Sequence, residues 1–246
     1  MAKEKISPER KRELEEGLKA DPPTRFFYNV RAAAQCFLRL MGPVTVYGAE
    51  NFPAAGGCIL ASNHRAHVDP PYMSWVSRRQ LYYMGKEELF HGIVGYFVKG
   101  LEVFPVRRGE ADRAAIRTAV EHLKKGHIVG IFPEGTRSED TSLRPAEKGF
   151  GLIAKMTDCL IVPVAIENTE KVLPKGSIFM HRSPVTITIG KPFRASEILA
   201  KHPDAGKEAL NIIGEETMKA IQGLMRTPVK MREKTEEAPA KEAVSR

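Results

Sequence analysis

At 246 residues, 42% of them hydrophobic, the chain is long enough for one large α/β domain with a real core, or for a domain with an appendage. The formal net charge of +8 asks for an anionic partner, but aromatics are only 7% and no basic stripe alternates with stacking rings, so nucleic acid is not expected. Three cysteines, Cys36, Cys58 and Cys159, are too few and too scattered for a disulfide framework, which points to a reducing compartment.

The N-terminus leads into charged residues without an apolar stretch, so no signal peptide is expected, and no run of about 18 uncharged apolar residues could span a bilayer. Ser7-Pro8-Glu9 reads as a helix start, and a charged helix should run to Lys19 before Asp21-Pro22-Pro23-Thr24 breaks it. A second helix is predicted over 25–41. At roughly 100° per residue, Phe26, Phe27, Val30, Ala33, Ala34, Phe37, Leu38, Leu40 and Met41 fill an arc of about 160°. That arc suits packing on the domain, and it also suits an anionic membrane interface with the arginines at the headgroups. The chain therefore divides into an N-terminal helix pair (1–41), an α/β domain (42–226) and a Lys/Glu/Ala/Pro-rich tail (227–246) expected to be disordered.

Within the domain, Val44–Tyr47 alternates as a strand, and Cys58–Ser62 is a buried strand after a Pro/Gly turn. Pro70-Pro71 should start a helix through Trp75 to Ser77. Strands follow at Leu81–Met84 and Val103–Val106, separated by the glycine-rich apolar stretch 91–100. An amphipathic helix over 110–125 stops at Gly126. Ile128–Phe132 is a strand, 147–157 a helix, and Leu160–Ile166 a strand. Val185, Ile187 and Ile189 alternate with threonines in a half-exposed strand over 184–190. Helices at 196–200 and 207–225 close the domain. Alternating strands and helices predict an α/β fold with a mixed, largely parallel sheet flanked by helices. In such sheets function collects on loops at the carboxyl ends of strands.

Three polar loops hold that position. The first, Ala61-Ser62-Asn63-His64-Arg65-Ala66-His67-Val68-Asp69-Pro70-Pro71, is too dense in polar groups for a packed core. Asp69-Pro70 reads as a helix N-cap followed by the first helical position, which leaves His64 in the preceding loop, free to fold back on Asp69. An aspartate so placed fixes the imidazole tautomer and leaves the other ring nitrogen as a general base. A polar loop with a capping aspartate is the plainer alternative. His67 is expected to face solvent. A metal set of His64, His67 and Asp69 lacks a further compact ligand, so no metal or other cofactor is expected. No Gly-x-Ser-x-Gly elbow occurs, so the base would activate a hydroxyl of the substrate. The other loops carry positive charge: Arg107 and Arg108 after one strand, and Glu134-Gly135-Thr136-Arg137 after another. There the glycine would free backbone N–H groups for an anion, the arginine would grip phosphate, and Glu134 would meet a substrate hydroxyl or orient an arginine.

The motifs resemble those of the 1-acyl-glycerol-3-phosphate acyltransferase family. Asn63-His64 and Asp69 match its first block, Val103–Arg107 its second, Phe132–Ser138 its third and Ile161–Ala165 its fourth, in order. The second arginine, Arg108, departs from the pattern. The resemblance implies a glycerolipid acyltransferase-like fold. It also implies transfer of a fatty acyl chain from acyl-CoA or acyl carrier protein to the sn-2 hydroxyl of lysophosphatidate, giving phosphatidate. His64 would be the base and Asp69 its partner. Arg107, Glu134, Gly135, Thr136 and Arg137 would bind the glycerol phosphate, and Pro163 would shape the acyl side. Some members dock on membranes through an N-terminal helix pair, so peripheral or monotopic association at the cytoplasmic face is expected. The rival readings are an acyltransferase acting on glycerol 3-phosphate or another lysolipid, a metal-dependent hydrolase, and a non-catalytic lipid-binding protein.

Overall fold

The computed structural model describes residues 8–20, 22–106, 112–138 and 142–231. Two helices open the chain, α1 (Pro8–Ala20) and α2 (Arg25–Leu40). They lead into strands β1 (Val44–Tyr47), β2 (Cys58–Ser62), β3 (Leu81–Lys86), β4 (Val103–Val106), β5 (Ile128–Ile131), β6 (Leu160–Glu167) and β7 (Val185–Ile189). The helices between and after them are α3 (Asp69–Met73), α4 (Gly92–Gly100), α5 (Arg113–Lys124), α6 (Lys148–Thr157), α7 (Thr169–Val172), α8 (Ala195–Leu199) and α9 (Ala209–Leu224).

The strands form one sheet in the order β1-β7-β6-β2-β5-β3-β4. All neighbours are parallel except β6 and β7. The mixed, largely parallel sheet expected from the sequence is therefore present. β2 lies at its centre, between β6 and β5. Helices cover both faces, so β2, β5 and β6 are apolar at successive positions instead of alternating. Ile59, Ala61, Val129, Ile131 and Ile161 pack on one face against Ala119, Leu123, Phe150, Ile153, Ile213 and Ile221 of α5, α6 and α9. Cys58, Leu60, Ile128, Val162 and Val164 pack on the other against Phe27 and Leu38 of α2 and Tyr72 and Met73 of α3. Pro163 is tolerated in a buried strand because its carbonyl faces β7, accepting from the Gly190 N–H at 2.8 Å. Its missing N–H faces the same side, before the β6–β7 ladder begins at Val164.

The apolar arc of α2 is split between two environments. Phe27 and Leu38 are core, while Phe37 and Leu40 on the neighbouring edge are left exposed. The helix is fixed in place by polar contacts: Thr24 caps it by accepting from the Phe27 N–H at 3.1 Å. The Thr24 N–H donates to Gln80 Oε1 at 3.1 Å, and Arg31 Nε donates to the Ser74 carbonyl at 2.9 Å. α1 docks through Gly17, where a Cβ would lie 1.7 Å from the Ala54 carbonyl oxygen.

Several sequence expectations shift. The helix expected over 70–77 ends at Met73, and its N-cap is Val68, which makes Asp69 the first helical residue. The helices α4, in the glycine-rich apolar stretch, and α7 are additional, as are three short 3-10 turns, Ala49–Asn51, Glu87–Phe90 and Gly206–Glu208. The stretch 227–231, expected to be disordered, is packed: Leu143 N–H donates to the Lys230 carbonyl at 2.9 Å, and Val229 and Met231 lie on the core. Val229 and Met231 anchor it together with hydrogen bonds from the Thr227 N–H to Glu167 Oε1 at 3.0 Å and from Gln222 Nε2 to the Val229 carbonyl at 2.6 Å. Residues 232–246 lie outside the described residues.

Candidate active site

The loops after β2 and β5 are adjacent because these strands pair in parallel, so both leave the sheet at the same edge. Arg107 and Arg108, in the loop after β4, lie outside the described residues.

Asn63 directs the chain out of β2. Its amide Nδ2 donates to the Ile166 carbonyl at 2.9 Å, and its Oδ1 accepts from the Ile166 N–H at 2.8 Å. The side chain thus stands in for one more strand residue beside β6 and frees the backbone to turn. His64 follows, 8% exposed, with its ring stacked on Phe132 at 4.1 Å and 19°. His64 Nδ1 lies 2.7 Å from Asp69 Oδ2. A carboxylate only accepts, so this contact places the proton on Nδ1 and the free lone pair on Nε2. The same Oδ2 accepts from the Arg65 N–H at 2.6 Å and the Ala66 N–H at 2.8 Å. Asp69 therefore wraps the loop around its own carboxylate from the first turn of α3. The fold-back expected from the sequence occurs, although Asp69 is not the cap.

The third loop is joined to the first at the backbone of His64. Glu134 is 1% exposed. Its Oε1 accepts from the His64 N–H at 2.9 Å, and its Oε2 accepts from Ser138 Oγ at 2.6 Å and the Arg144 N–H at 2.9 Å. The Ser138 N–H donates in turn to the His64 carbonyl at 2.9 Å. Both backbone groups of His64 are thus held by Glu134 and Ser138. Burial pushes the Glu134 carboxyl above its ordinary value, while the Ser138, Arg144 and His64 bonds pull it back. The sequence offers a substrate hydroxyl or an arginine as its partner. The geometry adds a structural role, because both carboxylate oxygens accept hydrogen bonds inside the protein. Neither Ser138 nor Phe132 was given a role from sequence. The spacing from Glu134 to Ser138, with a glycine between them, was the available signal.

Gly135 has φ +67, and a Cβ there would lie 2.8 Å from Glu147 Cγ. Its N–H donates to the Phe132 carbonyl at 3.0 Å and so closes a turn. That N–H is committed to the turn, so any anion contact from this loop falls to its other N–H groups. Thr136 and Arg137 are partly exposed beyond the turn, and His67 is exposed as expected. Burial lowers the His67 pKa, and the charges of Arg137, His64 and Lys86 lower it further, against Asp69. Arg137 and Lys86 therefore bring positive charge to the mouth of the His64 loop. Among the described residues, no group of three or more His, Cys, Asp or Glu side chains is placed to hold a metal ion. Pro163 is buried within β6, beside Gly190 and Leu224.

A family model described as Acyltransferase matches residues 43–167, which runs from β1 to the end of β6 and takes in both loops. The chain is 35% identical over 168 residues to a 1-acyl-sn-glycerol-3-phosphate acyltransferase of Bacillus subtilis (strain 168), covering 67% of this chain and 81% of that one. The chain belongs to the acyltransferase family.

Another relative of this acyltransferase is a 1-acyl-sn-glycerol-3-phosphate acyltransferase of Borreliella burgdorferi, 33% identical over 159 residues, or 62% of this chain and 63% of the relative. The fold agrees as well. The crystal structure of the 1-acyl-sn-glycerophosphate (LPA) acyltransferase, PlsC, from Thermotoga maritima superposes with a TM-score of 0.64 over 90% of this chain and 86% of that chain, at 24% identity. An acyltransferase must strip a proton from an attacking hydroxyl. His64 is held by Asp69 at one ring nitrogen and by Glu134 and Ser138 at its backbone, which leaves Nε2 without a contact to these partners.

Proposed function

We propose that the protein moves a fatty acyl chain from a thioester donor, acyl-CoA or acyl carrier protein, to the sn-2 hydroxyl of lysophosphatidate. The observation that carries this reading is the His64–Asp69 contact at 2.7 Å, at the sheet edge beside the Arg137 loop. His64 Nε2 takes the hydroxyl proton as the oxygen attacks the thioester carbonyl. The tetrahedral intermediate collapses, the C–S bond breaks, and the imidazolium returns the proton to the leaving thiolate. Asp69 stabilises the imidazolium in between. No acyl-enzyme is needed. Arg137 and Thr136, together with Arg107, bind the phosphate, and Gly135 makes the turn that presents Thr136 and Arg137. Glu134 acts through His64 as a positioning residue.

The names of the relatives support this acceptor, and the exposed edge of α2 supports work at an anionic membrane surface. No described helix is long and apolar enough to cross a membrane. The test is a panel of acceptors, lysophosphatidate, glycerol 3-phosphate and uncharged lysolipids, against both donors, with each product identified by mass. Phosphatidate as the dominant product is expected. Preference for glycerol 3-phosphate or an uncharged acceptor would replace this reading.

A further inference from the structure

Between α7 and β7 the chain runs through residues 173–184 without a helix or strand. Long connections of this kind in a compact domain usually carry function. At its tip, Ile178 is 85% and Phe179 is 73% exposed, the most exposed large hydrophobic side chains among the described residues. The tip is shaped. The Ser177 N–H donates to the Pro174 carbonyl at 3.0 Å, Ser177 Oγ donates to the Phe179 carbonyl at 2.9 Å, and the Phe179 N–H donates back to Ser177 Oγ at 3.0 Å. The His181 N–H closes the loop on the Val172 carbonyl at 2.8 Å. Holding two large apolar groups in water on an ordered turn is unfavourable unless something covers them.

Charge and position indicate what does. Lys171, Lys175, His181 and Arg182 are all exposed around the tip. The acid in this stretch, Glu170, lies instead 3.8 Å from Arg65. The base of the loop is tied to the end of α2, where the Ser183 N–H donates to the Met41 carbonyl at 2.8 Å. The last turns of α2 expose Phe37, Leu40 and Arg39. A projecting apolar tip with a basic rim, continuous with a second apolar and basic face, fits a bilayer interface better than the concave site a protein segment would need.

We propose that the 175–182 loop is a second membrane anchor, which inserts Ile178 and Phe179 into an anionic bilayer with Lys175 and Arg182 at the headgroups. The proposal rests on the reading that the enzyme works at a membrane, and it extends the contact beyond the N-terminal helix pair.

The full chain is sedimented with vesicles of phosphatidylcholine and phosphatidylglycerol, alongside Ile178→Ser/Phe179→Ser, Lys175→Glu/Arg182→Glu and the α2 variant Phe37→Ser/Leu40→Ser. The tip variant should partition at least about fivefold less. The charge variant should lose affinity for the anionic vesicles and not for pure phosphatidylcholine. In a separate protein, Phe179→Trp, the fluorescence of the introduced indole should be quenched by lipids brominated on the acyl chain, a readout independent of how well the serine variant folds. If the α2 variant alone loses binding and the introduced indole is not quenched, the loop proposal is overturned while the membrane reading stands. If the unmodified chain does not bind vesicles, both fall. Loss of binding to acyl carrier protein in the tip variant, with vesicle binding unchanged, would overturn the proposal in favour of a protein partner.

Discussion

Asp69 takes three donors on a single oxygen, from the His64 ring and two backbone N–H groups. It therefore orders both the His64 ring and the loop that carries it. Replacing it by Asn keeps an oxygen acceptor but removes the charge that stabilises the His64 imidazolium, and turnover should fall by about 10²-fold or more. Thiol release measured on protein with an unchanged circular dichroism spectrum checks this. Glu134 allows a sharper distinction. In the proposed function it is a positioning residue for His64, so Ser138→Ala, which removes one of its hydrogen bonds, should cost about 1.5–3 kcal/mol of stability and lower kcat. The KM for lysophosphatidate should stay nearly constant. A rise in KM with unchanged kcat and urea midpoint would restore Glu134 to the phosphate site. The His64–Asp69 pair was legible because both residues sit in one short stretch. The burial of Glu134 was not legible, because it depends on partners distant in sequence, His64 among them. A polar side chain in a loop looks like a substrate contact until its oxygens are accounted for.

At the scale of the element, β2, β5 and β6 could be read from continuous apolar runs, as strands buried on both faces must be. The short α7 and the 3-10 turns carry too few residues for a periodic signal. The arc of α2 was legible, but its division into a core edge and an exposed edge depends on where α3 and Gln80 clamp the helix. The turn after β5 depends on Gly135. At φ +67, with Glu147 Cγ 2.8 Å from any added Cβ, Gly135→Ala should cost about 1–3 kcal/mol and displace Thr136 and Arg137. The expected signature is a lower urea midpoint together with a raised KM for the phosphorylated acceptor. An unaltered KM would separate the turn from phosphate binding.

For the whole molecule, the three-layer fold places the loops after β2 and β5 on one sheet edge and leaves a second group of histidines half-buried. His122 Nδ1 lies 3.0 Å from His127 Nδ1, and both rings pack on Tyr82. Burial lowers the His122 pKa, His127 and Lys125 lower it further, and Glu121 opposes them. A folded pKa below the unfolded value of 6.5 means that the fold favours the neutral ring. Its stabilisation is complete above that value and is lost as pH falls through the folded pKa. The urea midpoint should therefore drop as pH falls below 6.5, and His122→Gln should flatten that part of the curve. An identical slope in the variant would remove His122 as the cause.

The account turns on His64 as the base that activates an acceptor hydroxyl. The most direct measurement is thiol release from acyl-CoA in the presence of lysophosphatidate, comparing the wild type with His64→Ala at matched circular dichroism and thermal midpoint. A loss of at least about 10²-fold in turnover is predicted. Activity within a few-fold of wild type in the folded variant would contradict it.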